Sequence, residues 1–371
     1  MSRDYADGRQ GENCKNTSTP HSIRYLTPVL FIRRNLLKIL ISGGIFTLVA
    51  AAFLVAWAGS EIAAPSRRPV MDYHREFLAN PSAHGFTIDH FTTADGTPCI
   101  VCTPDPSGKL GERGSKIRQQ LSARGLKLEP AGRVRATLLL IHGRRGRKED
   151  YLPIAERLCA TGFRCLIPDM PAHGDHPARL ATYGIREATL PARVLSEAAT
   201  RFNFRPEPAG LLGMSMGGSV AVHAASIPDA PWQALVIISS FDSFPVVIES
   251  QASRYIGSTL GPVWAKATDS IYQWKSGISI VDIQPHLHAA SVHIPTLVAH
   301  GTSDRVIDIS SGRRLFDAFP SGTPKKWIEI PGADHDNALI TAYPIYADIA
   351  EWMLRYEGKD SLGNNNPPLP R

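Results

Sequence analysis

The chain has 371 residues, of which 43% are hydrophobic and 20% are charged, and its formal net charge is +6. These values are typical of a globular protein that can bury a sizeable core in one large domain or two ordinary ones. The basic residues are scattered among acidic ones and form no concentrated block. The composition therefore gives no indication of nucleic-acid binding.

By composition, the chain divides into one main domain and four flanking segments. Residues 1–35 form a polar N-terminal segment, residues 36–58 are apolar, and residues 59–69 contain the prolines and arginines of a linker. Residues 358–371 are polar and rich in Asn and Pro, which predicts a disordered tail. We therefore expect residues 70–357 to form a single domain.

The apolar segment Leu36–Ala58, LLKILISGGIFTLVAAAFLVAWA, has one charged residue, Lys38, near its start. As a helix it is long enough to cross a hydrocarbon core of about 30 Å, whereas the apolar region of a secretory signal has about 7–15 residues. It therefore predicts a single membrane-spanning signal anchor. The alternative is a cleaved signal peptide, because the final tripeptide AWA resembles a processing site, although the leader before it is long.

Basic residues flank this apolar segment on both sides: Arg24, Arg33, Arg34 and Lys38 precede or begin it, and Arg67, Arg68 and Arg75 follow it. The small excess on the N-terminal side favours a cytoplasmic N-terminus. We therefore expect the large domain on an extracytoplasmic face, which is the periplasm if the source is bacterial. After signal cleavage, the same domain would be secreted.

Within residues 70–357, short apolar runs alternate with longer amphipathic ones. The apolar runs predict strands at Phe86–Thr93, Pro98–Cys102, Arg135–Ile141, Arg164–Ile167, Ala209–Leu212, Leu235–Ser239, Thr296–Ala299 and Lys326–Ile330. The amphipathic runs predict helices at Asp150–Ala160, Leu190–Phe202, Met216–Ala225, Ser310–Phe319 and Ala338–Tyr356. This alternation predicts a mostly parallel eight-stranded sheet with helices on both faces, and functional groups gather at the carboxyl ends of such strands.

Two segments interrupt the alternation. Residues 105–130 are polar and basic, with a predicted helix at Lys116–Arg124, and a solvated insertion is the favoured interpretation. Residues 240–293 are rich in aromatic side chains, which indicates a cap insertion. These aromatic side chains would either cover an apolar pocket or simply pack against the domain.

The cysteines of the large domain do not define a disulfide framework. Cys99 and Cys102 are predicted to point to opposite faces of a strand, so a bridge between them is unfavourable and core thiols are favoured. Cys159 and Cys165 flank a predicted helix-to-strand turn, and the sequence leaves a disulfide between them open.

The stretch GMSMGGS, residues 213–219, lies between a buried strand and a small, apolar helix. Gly213 and Gly217 would relieve the crowding of a sharp strand-to-helix turn, which forces the central residue into a strained conformation and exposes its side chain. The helix N-terminus favours negative charge at that position. We therefore predict Ser215 as a nucleophile, in preference to Ser219, which lies one turn into the helix.

A serine hydroxyl needs a base to accept its proton, and an acid to orient that base. His335 lies in PGADHDNAL, after the last predicted strand, and Asp304 lies in the loop after the strand before it. The order Ser215, Asp304, His335 is the nucleophile–acid–base order of one fold. His142 and His300 each precede a glycine at a strand end, where packing or turn formation is the expected role.

Four segments in register resemble the α/β-hydrolase superfamily, close to its monoacylglycerol-lipase and serine-aminopeptidase-like branches. They are LLLIHGRRGRKEDYLPIAERLCATGFRCLIPDMPAHGDHP, GLLGMSMGGSVA, IPTLVAHGTSDRVI and IPGADHDN, and the likeness covers roughly Thr93 to Leu354. The resemblance implies the α/β-hydrolase fold and an oxyanion hole. Its donors would be the backbone N–H groups of Met216 and Arg144, each of which stabilises the tetrahedral intermediate.

The chain departs from the family pattern at two places. Ala172 stands where the family loop has Gly, a small change. Four basic residues also crowd the proposed oxyanion loop: Arg144, Arg145, Arg147 and Lys148. Either an arginine binds an anionic part of the substrate, or these charges are solvated.

Together these features predict a membrane-anchored serine hydrolase that cleaves a carboxylic ester or a lipid-like ester through a Ser215 acyl-enzyme, without a metal or organic cofactor. Serine at the elbow argues against dehalogenase and epoxide-hydrolase chemistry, which need a carboxylate nucleophile on this fold. The alternatives are a peptidase, thioesterase or acyltransferase with the same three residues, or a non-catalytic binding module. The sequence leaves the substrate and the oligomeric state open.

Overall fold

The computed structural model describes residues 27–340 and 345–356. The predicted tail at 358–371 and most of the polar N-terminal segment therefore lie outside the described residues. The chain divides into two compact units, one that ends at Leu54 and one that begins at Val55.

The first helix, α1, runs from Thr27 to Ala63, and its segment Asn35–Ala63 is long and apolar enough to cross a membrane. Within the first unit its apolar side chains are exposed, for example Ile39, Leu40 and Phe46. An N-terminal signal sequence has the same length and composition. The helix continues to Ala63, so residues 59–63, which the composition assigns to a linker, are helical.

The second unit contains an eight-stranded sheet in the described part of the chain, with the strand order β1-β2-β4-β3-β5-β6-β7-β8. The strands β1 and β2 are antiparallel to their neighbours, and the remaining pairs are parallel. The predicted mostly parallel sheet is confirmed. The strands are Phe86–Thr92, Pro98–Pro104, Ala136–Ile141, Phe163–Pro168, Ala209–Met214, Trp232–Ile238, Thr296–Gly301 and Lys325–Ile330, for β1 to β8.

Helices cover both faces of this sheet, as predicted. The described helices after α1 are Asp72–Ala79, Glu112–Ala123, Leu152–Cys159, Leu190–Arg201, Met216–Ala225, Phe244–Ile256, Gly261–Ser276, Pro285–Ala289, Ile309–Ala318 and Ile345–Tyr356, for α2 to α11. Val194 and Leu195 of α5, and Val220 of α6, belong to the buried cluster on one face, whereas Leu158 of α4 and Trp352 of α11 belong to the cluster on the other.

The last helix begins later than its amphipathic pattern predicts. The pattern places its start at Ala338, but residues 338–340 form turns; residues 341–344 lie outside the described residues, and α11 is described from Ile345. The Asp334 carboxylate accepts hydrogen bonds from the backbone N–H groups of Asp336 and Asn337, at 3.1 and 2.9 Å. These bonds hold the residues after His335 in a turn, an Asx-type motif that competes with helix formation.

The insertion that contains α3 is less solvated than its polar composition indicates. Ile117 and Leu121 of α3 are buried in the same cluster as Leu158 of α4. Only one side of the helix is therefore exposed, which is the usual arrangement for an amphipathic surface helix.

The cap insertion consists mainly of α7, α8 and α9 between β6 and β7. Several of its aromatic side chains pack against the domain. Phe241 and Tyr272 are buried, Phe244 stacks on Tyr183 with ring centroids 4.3 Å apart, and the Tyr272 hydroxyl donates a hydrogen bond to the Ala181 carbonyl at 3.0 Å. For these residues, packing rather than a pocket lining accounts for the aromatic composition.

The cysteines Cys99, Cys102, Cys159 and Cys165 are all buried, and none of these four forms a disulfide. The Cys159 thiol lies 3.7 Å from the Cys102 carbonyl oxygen. Burial raises the pKa of Cys99, Cys102 and Cys159 above the ordinary thiol value. The core-thiol prediction for Cys99 and Cys102 therefore agrees with the structure, and the bridge left open at Cys159 is not formed.

Candidate active site

A sharp turn joins the end of β5 to the start of α6, and Ser215 lies at its centre. Its φ of 55° and ψ of −121° are a strained combination for a residue with a side chain. A Cβ on Gly213 would meet the Gly217 carbonyl oxygen at 2.2 Å, and a Cβ on Gly217 would meet the Ile141 carbonyl oxygen at the same distance. Only glycine therefore permits this turn on either side of Ser215.

The structure brings Ser215, His335 and Asp304 together from three different loops. His335 Nε2 is 3.0 Å from Ser215 Oγ, and His335 Nδ1 is 2.8 Å from Asp304 Oδ2. These loops follow β5, β8 and β7, so the three side chains meet at the carboxyl end of the sheet. Ser215 and Asp304 are each 9% exposed.

Asp304 is fixed by donors on both of its carboxylate oxygens. Oδ1 accepts hydrogen bonds from the backbone N–H groups of Val306 and Ile307, both at 2.9 Å. His300 Nε2 lies 3.4 Å from Oδ2. Burial alone would raise the pKa of Asp304, but the bonds from His300, His335 and Ile307 outweigh it and hold that pKa well below its usual range. The carboxylate is therefore ionised beside His335.

His300 is a supporting residue that sequence reasoning assigned only to packing or turn formation. Its Nε2 donates a hydrogen bond to the Ile307 carbonyl at 2.9 Å, which ties the end of β7 to the loop that carries Asp304. A Cβ on Gly312 of α10 would lie 2.2 Å from His300 Nδ1, so glycine is required there. In the sequence, the one indication of this role is that His300 lies four residues before Asp304, in HGTSD.

His142 links the loop after β3 to the loop after β4. Its Nε2 accepts a hydrogen bond from the Met170 backbone N–H at 3.0 Å, so its proton is on Nδ1, which donates to the Gly143 carbonyl at 2.9 Å. Burial lowers the pKa of His142. The expected turn-fixing role agrees with these contacts.

The two histidines after β4 also bond away from Ser215. His173 Nδ1 donates to the Pro171 carbonyl at 2.8 Å. His176 Nδ1 accepts from the Ala178 backbone N–H at 3.0 Å. Among His142, His173, His176, His300 and His335, the last is the one at hydrogen-bond distance from Ser215 Oγ.

The loop after β3 lies against Ser215. A Cβ on Gly143 would be 3.4 Å from the Ser215 Cβ, and Gly146 N–H bonds to the Gly143 carbonyl at 3.0 Å, which closes a tight turn over residues 143–146. Arg144 is therefore in the turn that faces Ser215, and Met216 begins α6, where N-terminal backbone N–H groups have no intrahelical partner.

Arg147 and Lys148 are neither solvated nor available to a substrate. The side chains of Lys148 and Arg147 are only 6% and 5% exposed. Lys148 Nζ is 2.7 Å from Asp169 Oδ2 and also contacts Glu149 and Asp175, while Arg147 bonds to Glu149 and Asp175. Both interpretations of these two charges were wrong, because buried charges require paired partners, and these are the adjacent Glu149 and, in the loop after β4, Asp169 and Asp175.

The substitution of Ala172 for the family glycine has a conformational cost. Its φ of 69° lies in the left-handed region, which costs a residue with a Cβ about 1 kcal/mol.

Ser219 is fully buried and donates to the Tyr183 carbonyl at 2.6 Å, so it has a packing role within α6.

We expect the protein to lose stability on mild acidification because two histidines are buried in the neutral form. Burial lowers the pKa of His173 to about 3 and that of His223 to about 4, and the Nε2 atoms of both are buried without a hydrogen-bond partner among the described residues. In the unfolded chain both titrate near 6.5. The free energy of unfolding that the two neutral histidines contribute is therefore fully present above pH about 6.5. It decreases as the pH falls toward their folded-state pKa values, by up to ~1.4 kcal/mol per pH unit for each histidine.

Urea unfolding of the detergent-solubilised protein between pH 7.5 and 5 measures this dependence. His223→Asn, which keeps a short polar side chain but does not titrate, should remove about half of the slope contributed by the two histidines. An unchanged slope in His223→Asn would contradict the assignment.

The described part of the chain contains no cluster of three His, Cys, Asp or Glu side chains suited to a metal ion. Two cavities of about 440 Å³ each lie near the loop after β4, and Arg179 lines both. Neither is lined by Ser215, Asp304 or His335, so these cavities are separate from the candidate active site.

Comparison with known proteins shows which sequences this chain resembles. Residues 138–347 match the model of the alpha/beta hydrolase family. The chain is 25% identical over 224 residues to an uncharacterized Salmonella typhi protein, YfhR, covering 57% of this chain and 69% of that protein. It is 27% identical over 202 residues to an uncharacterized Mycobacterium tuberculosis protein, covering 54% of this chain and 63% of that one.

The fold is also similar to that of a solved enzyme. An esterase of Pyrococcus furiosus superposes with a TM-score of 0.54 at 16% identity, covering 78% of this chain and 97% of the esterase. At this identity the likeness concerns the fold alone. The family match covers more than half of the chain, from within β3 to the start of α11. The chain therefore belongs to the alpha/beta hydrolase family.

Proposed function

We propose that this hydrolase is a membrane-anchored serine esterase that cleaves a carboxylic ester through an acyl-enzyme on Ser215. The observation that carries the proposal is the continuous row of hydrogen bonds from Ser215 Oγ through His335 to Asp304, with distances of 3.0 and 2.8 Å. A nucleophile, a base and an orienting carboxylate in this arrangement are the components of acyl transfer.

In the first half of the reaction, His335 Nε2 takes the proton of Ser215 as Oγ attacks the ester carbonyl carbon. The ionised Asp304 accepts a hydrogen bond from Nδ1–H, which keeps the Nε2 lone pair directed at Ser215 and stabilises the imidazolium. The imidazolium then gives its proton to the departing alkoxide, and the acyl group stays on Oγ.

In the second half, water replaces the alcohol. His335 takes a proton from the water as the water oxygen attacks the acyl carbon, and Ser215 Oγ leaves and regains a proton from Nε2. The products are the carboxylic acid and the free enzyme. Each half passes through a tetrahedral oxyanion that requires hydrogen-bond donors.

The proposed donors are the backbone N–H groups of Met216 and Arg144. Met216 is the first residue of α6, so its N–H lies at the positive end of the helix dipole. Arg144 follows Gly143, which lies against Ser215. Loss of one such donor typically costs about 3–4 kcal/mol of transition-state stabilisation.

A lipid-like ester fits the apolar surfaces of the chain. The segment Asn35–Ala63 supports a single membrane span, with the hydrolase unit on the extracytoplasmic side. The chain around the junction of α7 and α8 also exposes Tyr255 in α7, Leu260 in the turn and Val263 in α8, which are 81%, 58% and 65% exposed. Exposed apolar side chains at one such junction are typical of a surface that contacts a protein or a membrane, and a membrane contact would fit a lipid-like substrate.

Pre-steady-state kinetics test the proposal on the full chain in detergent. We expect p-nitrophenyl esters to give a burst of one nitrophenolate per enzyme if deacylation limits turnover, and fluorophosphonate to label Ser215. Esters of medium and long acyl chains, a matched p-nitroanilide and a matched thioester separate the alternatives. Faster turnover of the anilide or thioester than of every ester would contradict the esterase assignment.

A further inference from the structure

The last turns of α1, residues 55–63 (the stem), are built into the hydrolase unit. Ile62 and Ala63 are buried in the cluster that also contains Met216. The Ile62 carbonyl accepts a hydrogen bond from the Tyr183 hydroxyl at 2.9 Å, and the Ala63 carbonyl accepts one from the Ala181 N–H at 2.8 Å. The end of the stem is therefore fixed in place.

A second contact fixes the stem against the cap. A Cβ on Gly59 would lie 2.6 Å from the Ile271 Cβ and 2.8 Å from the Thr268 carbonyl oxygen, both in α8. Only glycine allows this close approach of the two helices. The stem is held on one side by the cap and on the other by the loop that carries Tyr183, and this sets the position of Glu61.

The Glu61 carboxylate points to the turn over residues 143–146. Arg144 donates from one guanidinium nitrogen to the Glu61 backbone carbonyl at 3.1 Å and to Glu61 Oε1 at 3.3 Å. Arg145 Nε is 4.0 Å from the same oxygen. Ser66 donates to Oε1 from both its N–H and its hydroxyl, each at 3.1 Å, so the carboxylate is itself oriented.

This turn is short and strained, so an external contact can decide its position. Arg145 has a φ of 63°, an unfavourable value for a residue with a side chain. Gly143 and Gly146, on either side of the two arginines, allow many backbone conformations. The side chain of Arg144 reaches from this turn to the stem, and its backbone N–H is the proposed oxyanion donor.

We propose that Glu61 is a positioning residue of the active site: it holds Arg144, and through Arg144 it aims the oxyanion turn at Ser215. The inference rests on the proposed esterase function. An oxyanion donor is effective only when it is directed at the developing charge before the reaction begins. The stem is thus a component of the catalytic unit.

Steady-state kinetics of the full-length protein in detergent micelles test the role of Glu61. We expect Glu61→Ala to lower kcat for a p-nitrophenyl ester by about tenfold with KM changed less than about twofold, because oxyanion stabilisation acts in the transition state. Glu61→Gln, which keeps the acceptor oxygen but not the charge, should fall between Glu61→Ala and the wild type. The rate of fluorophosphonate labelling should decrease in parallel.

Two further variants separate positioning from folding. Glu129→Ala removes a more exposed Glu–Arg pair, with Arg133, before β3, and should leave kcat and the thermal midpoint unchanged. If Glu61 acts through Arg144, the double variant Glu61→Ala/Arg144→Ala should be no slower than Arg144→Ala alone. A kcat of Glu61→Ala within twofold of an active wild type, or multiplicative losses in the double variant, would overturn this proposal alone. A wild type without esterase activity and without Ser215 labelling would overturn both proposals.

Discussion

Ser215→Ala is expected to lower kcat for ester hydrolysis by at least about 10⁴-fold and to abolish fluorophosphonate labelling. Without Oγ no acyl-enzyme forms, and any remaining rate comes from water held near His335 and the proposed oxyanion donors. The change removes one oxygen atom from a side chain whose backbone conformation is fixed by Gly213 and Gly217. Initial rates with p-nitrophenyl esters and intact-protein mass spectrometry measure the two effects.

Ser219→Ala is the matched control, since it makes the same change one turn further along α6. Its hydroxyl donates only to the buried Tyr183 carbonyl, so the variant should keep the wild-type kcat and lose about 1 kcal/mol of stability. Labelling at Ser219, or retained activity in Ser215→Ala, would show that the nucleophile is misassigned.

The parts of this site that follow local rules were predictable from the sequence. Glycine at 213 and 217 is required by sterics within one turn, and that requirement is visible as the pattern around Ser215. The strand pattern then placed Asp304 and His335 after neighbouring strands, whose carboxyl ends meet at one edge of a parallel sheet. The predicted three residues are the ones that the fold brings within hydrogen-bond distance of one another.

The parts that depend on distant contacts were not predictable. Lys148 is paired with Asp169 and Asp175, and composition alone cannot distinguish such a buried pair from a solvated charge. The role of Glu61 depends on contact with Arg144, 83 positions away in the chain. The left-handed conformation of Ala172 is likewise set by the loop around it, since the backbone of alanine disfavours positive φ.

Asp304→Asn should lower kcat by about 10³–10⁴-fold while leaving the fold intact, because it changes the tautomer of His335. The N–H groups of Val306 and Ile307 both donate to Oδ1, so the amide oxygen of asparagine takes that position. The amide NH₂ then occupies the place of Oδ2, 2.8 Å from His335 Nδ1. Because the amide NH₂ is a donor, His335 Nδ1 must become the acceptor. The proton of the neutral imidazole then moves to Nε2, which can no longer take the proton of Ser215.

Asp308→Asn is the control for this change, since it makes the same substitution four residues along the same loop. Asp308 caps α10 by accepting from the Ser310 N–H at 2.9 Å, and asparagine caps helices equally well. This variant should therefore keep wild-type activity. An Asp304→Asn enzyme with near-wild-type kcat would contradict this role of Asp304, since His300, 3.4 Å from the same carboxylate oxygen, could not replace the carboxylate. Because His300 donates to the Ile307 carbonyl, it holds the Asp304 loop and cannot supply the missing negative charge.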